Sequence, residues 1–218
     1  MKIIVLGDIQ MNLDPVRYIR DDIINSDLVL LTGGITSRGG WIEAQKVIEI
    51  ITLLNPNILA IMGSVDTPGV LSYLESRGIS LHGRGKIVNN IGFYGVGGGN
   101  RTMFERPFEY SEKDINGFLE RGYNHIKKCN FIIMLSHVAP YNSLLDTTAK
   151  NEHVGSRVIR SFIFKHPPKL LLSSQIHGGI HLDRLGTSIL ASPGPLNKGG
   201  YLIIDTDETD FLKVKKKT

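Results

Sequence analysis

The alternation of short apolar runs with longer amphipathic stretches in the first part of the chain constrains its fold more than any other feature. Continuous apolar runs at residues 3–6, 28–31 and 58–62 are typical of strands buried on both faces. Stretches with apolar residues at helical spacing follow them, at residues 14–24, 41–54 and 68–77. Such alternation favours a largely parallel sheet flanked by helices, because each helix returns the chain to the same end of the sheet.

The pattern changes after residue 80. Short strands at 86–89 and 91–96, joined at Asn89-Asn90, predict an antiparallel hairpin, and Gly97-Gly98-Gly99-Asn100 predicts a flexible loop. Helices are expected at residues 111–128 and 154–165. Further strands are expected at 131–135, 169–173, 188–191 and 201–205. Since no linker, repeat or low-complexity tract interrupts this order, we expect one domain over residues 1–218.

Composition narrows the class of protein further. The 218 residues are 41% hydrophobic and 21% charged, as expected for a water-soluble globular protein. No apolar run approaches the roughly 20 residues that span a bilayer, and the N-terminal run resembles a buried strand more than a signal peptide. The single Cys129 excludes an internal disulfide and a multi-cysteine zinc site. We therefore expect a cytoplasmic protein that does not associate with membranes.

The net charge of +4 is concentrated in part at a Lys-rich C-terminal tail, residues 213–218. A frayed, solvated tail is the simplest interpretation of this segment. Contact with nucleic-acid phosphates is the alternative, but no aromatic stacking motif accompanies the lysines. Nucleic acid is therefore a weakly supported partner.

Five apolar runs end in small or polar clusters, and the loops after strands are where an α/β enzyme places its site. The clusters are Gly7-Asp8-Ile9-Gln10, Leu31-Thr32-Gly33-Gly34-Ile35-Thr36, Met62-Gly63-Ser64-Val65-Asp66, Leu135-Ser136-His137-Val138-Ala139-Pro140-Tyr141 and Leu171-Leu172-Ser173-Ser174-Gln175-Ile176-His177. In order and context they resemble the five motifs of the calcineurin-like metallophosphoesterases. Leu81-His82-Gly83 and Pro107-Phe108-Glu109-Tyr110 look like the small archaeal and bacterial branch of that family.

The resemblance implies a particular architecture and a particular chemistry. The expected fold is α/β, a four-layer α-β-β-α sandwich of mixed sheets with flanking helices. The family holds two cations about 3.5–4 Å apart, which activate water and stabilise the phosphoryl oxygens. Its ligands come from Asp-x-His, Gly-Asp, Gly-Asn-His-Asp/Glu, a lone His and Gly-His-x-His motifs.

The first two motifs depart from this pattern. Asp8 matches the first aspartate of the family, but Gln10 stands where a histidine ligand is expected. Gly34 stands where the resemblance places the aspartate that bridges the two cations. A glycine supplies no ligand. Without the negative charge of an aspartate, nothing at this position offsets the repulsion between two dications.

The third motif is also altered. Ser64 replaces the asparagine ligand, and Val65 replaces the histidine that assists the leaving group. Asp66 is retained, and the resemblance gives it the role of orienting that absent histidine. Serine is a weak oxygen ligand, and valine cannot transfer a proton.

The last two motifs keep their histidines in part. His137 matches the lone histidine, whereas Gln175 replaces the first histidine of the final motif and His177 matches the second. A competing register would read His177-Gly178-Gly179-Ile180-His181 as that motif, but it lies further from the strand. Of seven expected ligand positions, Asp8, His137 and His177 remain, so we infer that the two-metal centre is lost.

These departures predict a protein that binds rather than catalyses. The first hypothesis is a non-catalytic binding or scaffold protein without a cofactor, whose partner is a protein or a small phosphorylated ligand. The alternative is a phosphoesterase with one divalent ion, Mn, Fe, Ni or Zn, held by Asp8, His137 and His177. Arg38 and Arg101, with Arg106, are weaker candidates to rim the pocket and bind phosphate.

Overall fold

The structure, a computed structural model, describes residues 1–102, 106–176, 181–207 and 212–216. Its strands are β1 (Lys2–Leu6), β2 (Leu28–Thr32), β3 (Ile58–Ile61), β4 (Gly85–Val88), β5 (Ile91–Val96), β6 (Gly99–Asn100), β7 (Glu109–Tyr110), β8 (Phe131–Ser136), β9 (Leu170–Leu172), β10 (His181–Leu185), β11 (Ser188–Ser192), β12 (Gly200–Asp205) and β13 (Leu212–Lys216). Its α-helices are α1 (Arg20–Ile24), α2 (Trp41–Leu54), α3 (Pro68–Ser76), α4 (Glu112–Ile126) and α5 (Arg157–Lys165). Two 3-10 helices, Asp14–Tyr18 and Leu196–Lys198, complete the regular elements of these residues.

The longer strands of the described residues form two mixed sheets. The first has the order β13-β12-β1-β2-β3, in which β1, β2 and β3 are parallel and β12 and β13 are antiparallel to their neighbours. The second has the order β10-β11-β9-β8-β5-β4, with four parallel strands at its centre and an antiparallel strand at each edge. The short pair β6 and β7 stands apart from both.

Three apolar clusters hold these layers together. The central cluster lies between the sheets and joins β1 residues such as Ile3 and Val5 to Phe93 of β5 and Ile133 of β8. On the outer face of the first sheet, α2 buries Ala44, Val47, Ile48 and Ile51. On the outer face of the second, α4 and α5 bury a third cluster that includes Leu119 and Phe162. The result is the α-β-β-α sandwich of mixed sheets that the resemblance implied.

The C-terminal segment differs from the sequence prediction. The sequence predicts a frayed tail over residues 213–218, but residues 213–216 belong to β13, the edge strand of the first sheet, and residues 217–218 lie outside the described residues. Ile204 pairs with Leu212 and Ile203 with Lys213, and Leu212 packs against the cluster between the sheets. The prediction was wrong because it weighed the lysines alone and overlooked the apolar residues that alternate with them, a period of two.

Other boundaries move by smaller amounts. The helix expected at 14–24 is divided into a 3-10 helix and α1, with Ile19 between them. The helix expected from residue 154 begins at Arg157, because the Ser156 side chain accepts a hydrogen bond from the Ile159 amide (3.0 Å). Gly99-Asn100, expected in a flexible loop, pairs with β7. Among the described helices, none is long and apolar enough to cross a membrane.

Candidate functional site

The loops that follow five strands converge at one end of the sandwich. Asp8 follows β1, Gly34 follows β2 and Ser64 follows β3, while His137 and Gln175 follow β8 and β9 of the second sheet. Backbone hydrogen bonds tie these loops together, from Asp8 N to Gly33 O (3.1 Å) and from Gln175 N to His137 O (3.0 Å). Because parallel strands end at the same edge of their sheet, the fold itself gathers the altered motifs.

His137 is held in one orientation by the first sheet. It is buried, and its Nδ1 lies 3.1 Å from the Thr32 carbonyl oxygen and 3.3 Å from Ser174 Oγ. A carbonyl oxygen only accepts, so Nδ1 carries the proton and donates to Thr32, while Ser174 Oγ donates to the same carbonyl (2.6 Å). In the neutral imidazole the lone pair is therefore on Nε2, the arrangement that suits a ligand or a proton acceptor.

Glycines allow this close approach of the two sheets. Gly33 has a φ of +103°, and a Cβ atom there would lie 2.5 Å from His137 Nδ1. A Cβ atom at Gly63 would lie 2.4 Å from the Gly34 amide nitrogen. Any side chain at either position would push the loops apart, so both glycines serve the packing of the site.

The loop after β1 stores backbone strain. Asp8, Gln10 and Met11 all have positive φ, at 46°, 49° and 64°. Hydrogen bonds to the neighbouring loop, from Gln10 N to Gly34 O (2.8 Å) and from Met11 N to Ile35 O (3.3 Å), hold this conformation. Left-handed backbone costs a non-glycine residue about 1 kcal/mol or more, and such strain concentrates at functional sites.

Asp66 connects the loops after β2 and β3 through hydrogen bonds. Its fully buried carboxylate accepts hydrogen bonds from Gly63 N (2.7 Å), Ile35 N (3.2 Å), Thr36 N (2.7 Å) and Thr36 Oγ1 (2.8 Å). Burial raises the pKa of this carboxyl above its ordinary value, and those hydrogen bonds oppose the rise. Asp66 therefore joins the loop after β2 to the loop after β3. Val65, where the resemblance expects the histidine that this aspartate orients, is half-buried.

Gly34, where the resemblance places the bridging carboxylate, has no room for a side chain. A Cβ atom at Gly34 would lie 2.3 Å from Asp8 Oδ1 and 3.0 Å from Asp8 Cα, so the buried Asp8 side chain fills that space. Gly34 also has a φ of +62°, which disfavours most side chains. A bridging aspartate would fit at Gly34 only if the Asp8 side chain moved.

The side chain of Arg106 lies beside Ser64. Arg106 Nη1 donates to Ser64 Oγ (3.1 Å), and Ser64 is 2% exposed. Gln175 lies nearby, because a Cβ atom at Gly99 would be 3.0 Å from Ser64 Cβ and 3.6 Å from Gln175 Nε2. In the sequence Arg106 is only one of several loop arginines, because no motif marks it and only the fold brings it to Ser64.

The remaining candidate residues are exposed or lie outside the described residues. Arg38 and Arg101 are exposed, and Arg38 has a φ of 62°. His177 falls within residues 177–180, which the structure does not describe.

The described donor set does not fit the two-metal centre of the family resemblance. Gly34 has no side chain with which to bridge two ions, and the Arg106 guanidinium brings a positive charge to Ser64, where a dication would need a ligand. Within residues 1–102, 106–176, 181–207 and 212–216, no three His, Cys, Asp or Glu side chains are grouped to hold a metal ion. The single-ion set of Asp8, His137 and His177 stays open, since His177 lies outside those residues.

The fold and the order of these loops define a class of protein. The sequence model of the calcineurin-like phosphoesterase family matches residues 1–182, and the chain belongs to this family.

Individual proteins resemble this chain in sequence or in fold. A Methanocaldococcus jannaschii protein, named only as uncharacterized protein MJ1162, is 32% identical over 212 residues, which cover 94% of this chain and 92% of that protein. Two solved structures share the fold. The protein TT1561 of Thermus thermophilus has a TM-score of 0.80 at 19% identity, covering 99% of this chain and 98% of that one. A dimetal phosphatase from Danio rerio has a TM-score of 0.58 at 10% identity, covering 93% and 91%.

Proposed function

We propose that this chain is a non-catalytic member of the family that binds a small phosphorylated ligand at the altered metal site. One observation carries the proposal: the Arg106 guanidinium donates to Ser64 Oγ where the family resemblance places a metal ligand. A guanidinium binds phosphate oxygens through charge-assisted hydrogen bonds and needs no metal to do so.

The neighbouring groups describe the rest of the ligand. Gln175 Oε1 is buried and accepts no hydrogen bond within the described part of the chain. Leaving a buried acceptor unsatisfied costs about 1–3 kcal/mol, which a hydroxyl or amino donor on the ligand would recover. The buried Asp8 carboxylate also favours donors over a second anionic group. A nucleoside monophosphate or a sugar phosphate combines one phosphate with several donors.

The same residues argue against turnover. Val65 cannot protonate a leaving group, and the glycine at position 34 supplies no charge to hold two cations. His137 and Asp66, which are retained, have structural hydrogen bonds that account for their burial.

A single-ion phosphoesterase is the second candidate, and the tautomer of His137 favours it. With Nδ1 donating to Thr32, the Nε2 lone pair is suited to an Mn, Fe, Ni or Zn ion that Asp8 and His177 would also bind. One tightly bound ion that is lost in Asp8→Ala would support this candidate.

The binding experiment uses the full chain in excess EDTA. We expect a nucleoside monophosphate or a sugar phosphate to raise the melting temperature, and calorimetry to show that Arg106→Ala weakens binding about tenfold or more. Arg20→Ala, which removes an exposed arginine of α1, is the control and should bind as the unmodified chain does. Binding that is unchanged in Arg106→Ala would contradict the assignment of the phosphate to this arginine.

The activity experiment tests the absence of catalysis separately. The purified chain is loaded with manganese, iron, nickel or zinc in turn, analysed for metal content, and assayed with a phosphomonoester and a phosphodiester. We expect no turnover above that of His137→Ala. Robust turnover that chelator and His137→Ala both abolish would overturn the non-catalytic proposal and favour the single-ion enzyme.

A further inference from the structure

Helix α2 carries an exposed stripe that no described element covers. Ile42 is 61% exposed and Leu53 is 84% exposed, and the exposed Lys46 and Glu49 lie between them. Spacings of four, three and four residues place these four side chains along one line of the helix. The opposite face of α2 buries Ala44, Val47, Ile48 and Ile51, so the stripe is directed away from the molecule's own core.

The stripe can pair with the same stripe of a second, antiparallel copy, because apolar residues then meet apolar residues and each lysine meets a glutamate. A second α2, antiparallel and related by a two-fold axis near the middle of the helix, would place Ile42 against Leu53 of the other copy. The same operation places Lys46 against Glu49. One interface therefore contains two apolar contacts at its ends and two opposite-charge pairs at its centre, as an isologous contact requires.

We infer that α2 is a homodimerisation surface and that its occupant is α2 of a second copy of this chain. Charge complementarity argues for this occupant, because a parallel copy would set Lys46 against Lys46 and Glu49 against Glu49. The paired helices would extend about 21 Å, a contact smaller than a standard interface. A contact of this size should form at micromolar to submillimolar chain concentrations. Gln45 and the 40%-exposed Ile50 lie beside the stripe and face each other in this register.

Charge reversal tests the register. Sedimentation velocity from about 10 µM to about 1 mM should show the unmodified chain shifting from 24.1 kDa towards twice that mass. Lys46→Glu alone and Glu49→Lys alone each create two like-charge pairs, and we expect each to weaken self-association about tenfold. An equimolar mixture of the two variants regains both opposite-charge pairs, so we expect it to associate as the unmodified chain does.

The apolar ends have their own matched pair of variants. Leu53→Lys should abolish self-association, whereas Ile87→Lys, which changes a 56%-exposed residue of β4, should leave it unchanged. Circular dichroism checks that each variant folds, and all four substitutions fall on exposed side chains. A chain that stays monomeric to 1 mM, or a mixture that associates no better than its components, would overturn the inference.

Discussion

His82 shows how the surroundings of one residue set its chemistry. The ring is buried between Tyr110 and Phe118, with centroids 5.4 Å and 4.1 Å away, and its Nδ1 accepts from the Gly97 amide (3.1 Å). Burial, reinforced by the nearby Arg121 and Arg84, lowers the pKa of His82 to about 4. The neutral ring therefore supports the glycine loop beside Ser64, a role that the motif Leu81-His82-Gly83 could not reveal.

The lowered pKa predicts a loss of stability in acid. The unfolded chain takes up a proton near the ordinary histidine pKa of about 6.5, but the folded chain does so only near pH 4. Because the unfolded state binds more protons in this window, the free energy of unfolding should fall by about 3 kcal/mol between pH 7 and pH 4 on account of His82 alone. Urea titrations across that range measure it.

His82→Gln is the variant that isolates this effect. Glutamine keeps an acceptor for Gly97 but does not titrate, so the pH dependence of the variant should be flatter by the same amount. Other groups, including His166, whose pKa burial also lowers, are common to both proteins and cancel in the difference. Equal slopes in the two proteins would contradict the burial argument.

At the scale of elements, Glu112 links two helices. It lies in the first turn of α4, yet its carboxylate accepts from Ser156 Oγ (2.5 Å), Arg157 N (3.0 Å) and Val158 N (3.2 Å) at the start of α5. A carboxylate there satisfies amides that have no partner within α5 and interacts favourably with its dipole. Both helices contribute side chains to the third apolar cluster.

We predict that Glu112→Ala lowers the free energy of unfolding by about 1–3 kcal/mol, since three hydrogen bonds to one charged group are lost. Denaturant titration monitored by circular dichroism measures the change. Glu120→Ala is a matched control on the same helix, because it removes only a partly exposed ion pair with Lys165 (3.1 Å) and should cost less than about 0.5 kcal/mol. Equal effects of the two substitutions would show that Glu112 does not cap α5.

At the scale of the whole molecule, the two ends of the chain complete one sheet. β1 lies at the centre of the first sheet, beside β12, and β12 is in turn covered by β13. Lys213 of β13 is exposed, and a lysine on an edge strand discourages pairing with other chains.

Removing residues 208–218 tests this arrangement. Without β13, β12 becomes the edge, the ladder from Gly200 to Ile204 is lost and Leu212 no longer covers the central cluster. We expect the free energy of unfolding to fall by about 2–4 kcal/mol and aggregation to increase. A chain with Gln at positions 213, 215 and 216 keeps the strand and should lose less than about 0.5 kcal/mol. A truncated chain of unchanged stability would restore the frayed-tail prediction.

The site could be predicted only in part, for a physical reason that particular residues illustrate. Asp8, Gly34 and His137 could be placed because loops after parallel strands meet at one edge. Arg106 is one of three loop arginines that the sequence offers for the rim of the pocket, but no local pattern indicates which of them reaches Ser64, 42 positions away in the case of Arg106. The lack of space for a side chain at Gly34 could not be predicted either, because it depends on the direction of the Asp8 side chain.

The sequence by itself determined the central strands of both sheets, the longer helices and the family, because apolar periodicity and the residues that follow each strand are local properties of the chain. Only the tertiary structure decided that residues 212–216 complete a sheet, that Glu112 of one helix caps another, and that the Arg106 guanidinium lies against Ser64. These are contacts between residues far apart in sequence, and the free energy that selects them comes from packing the layers together.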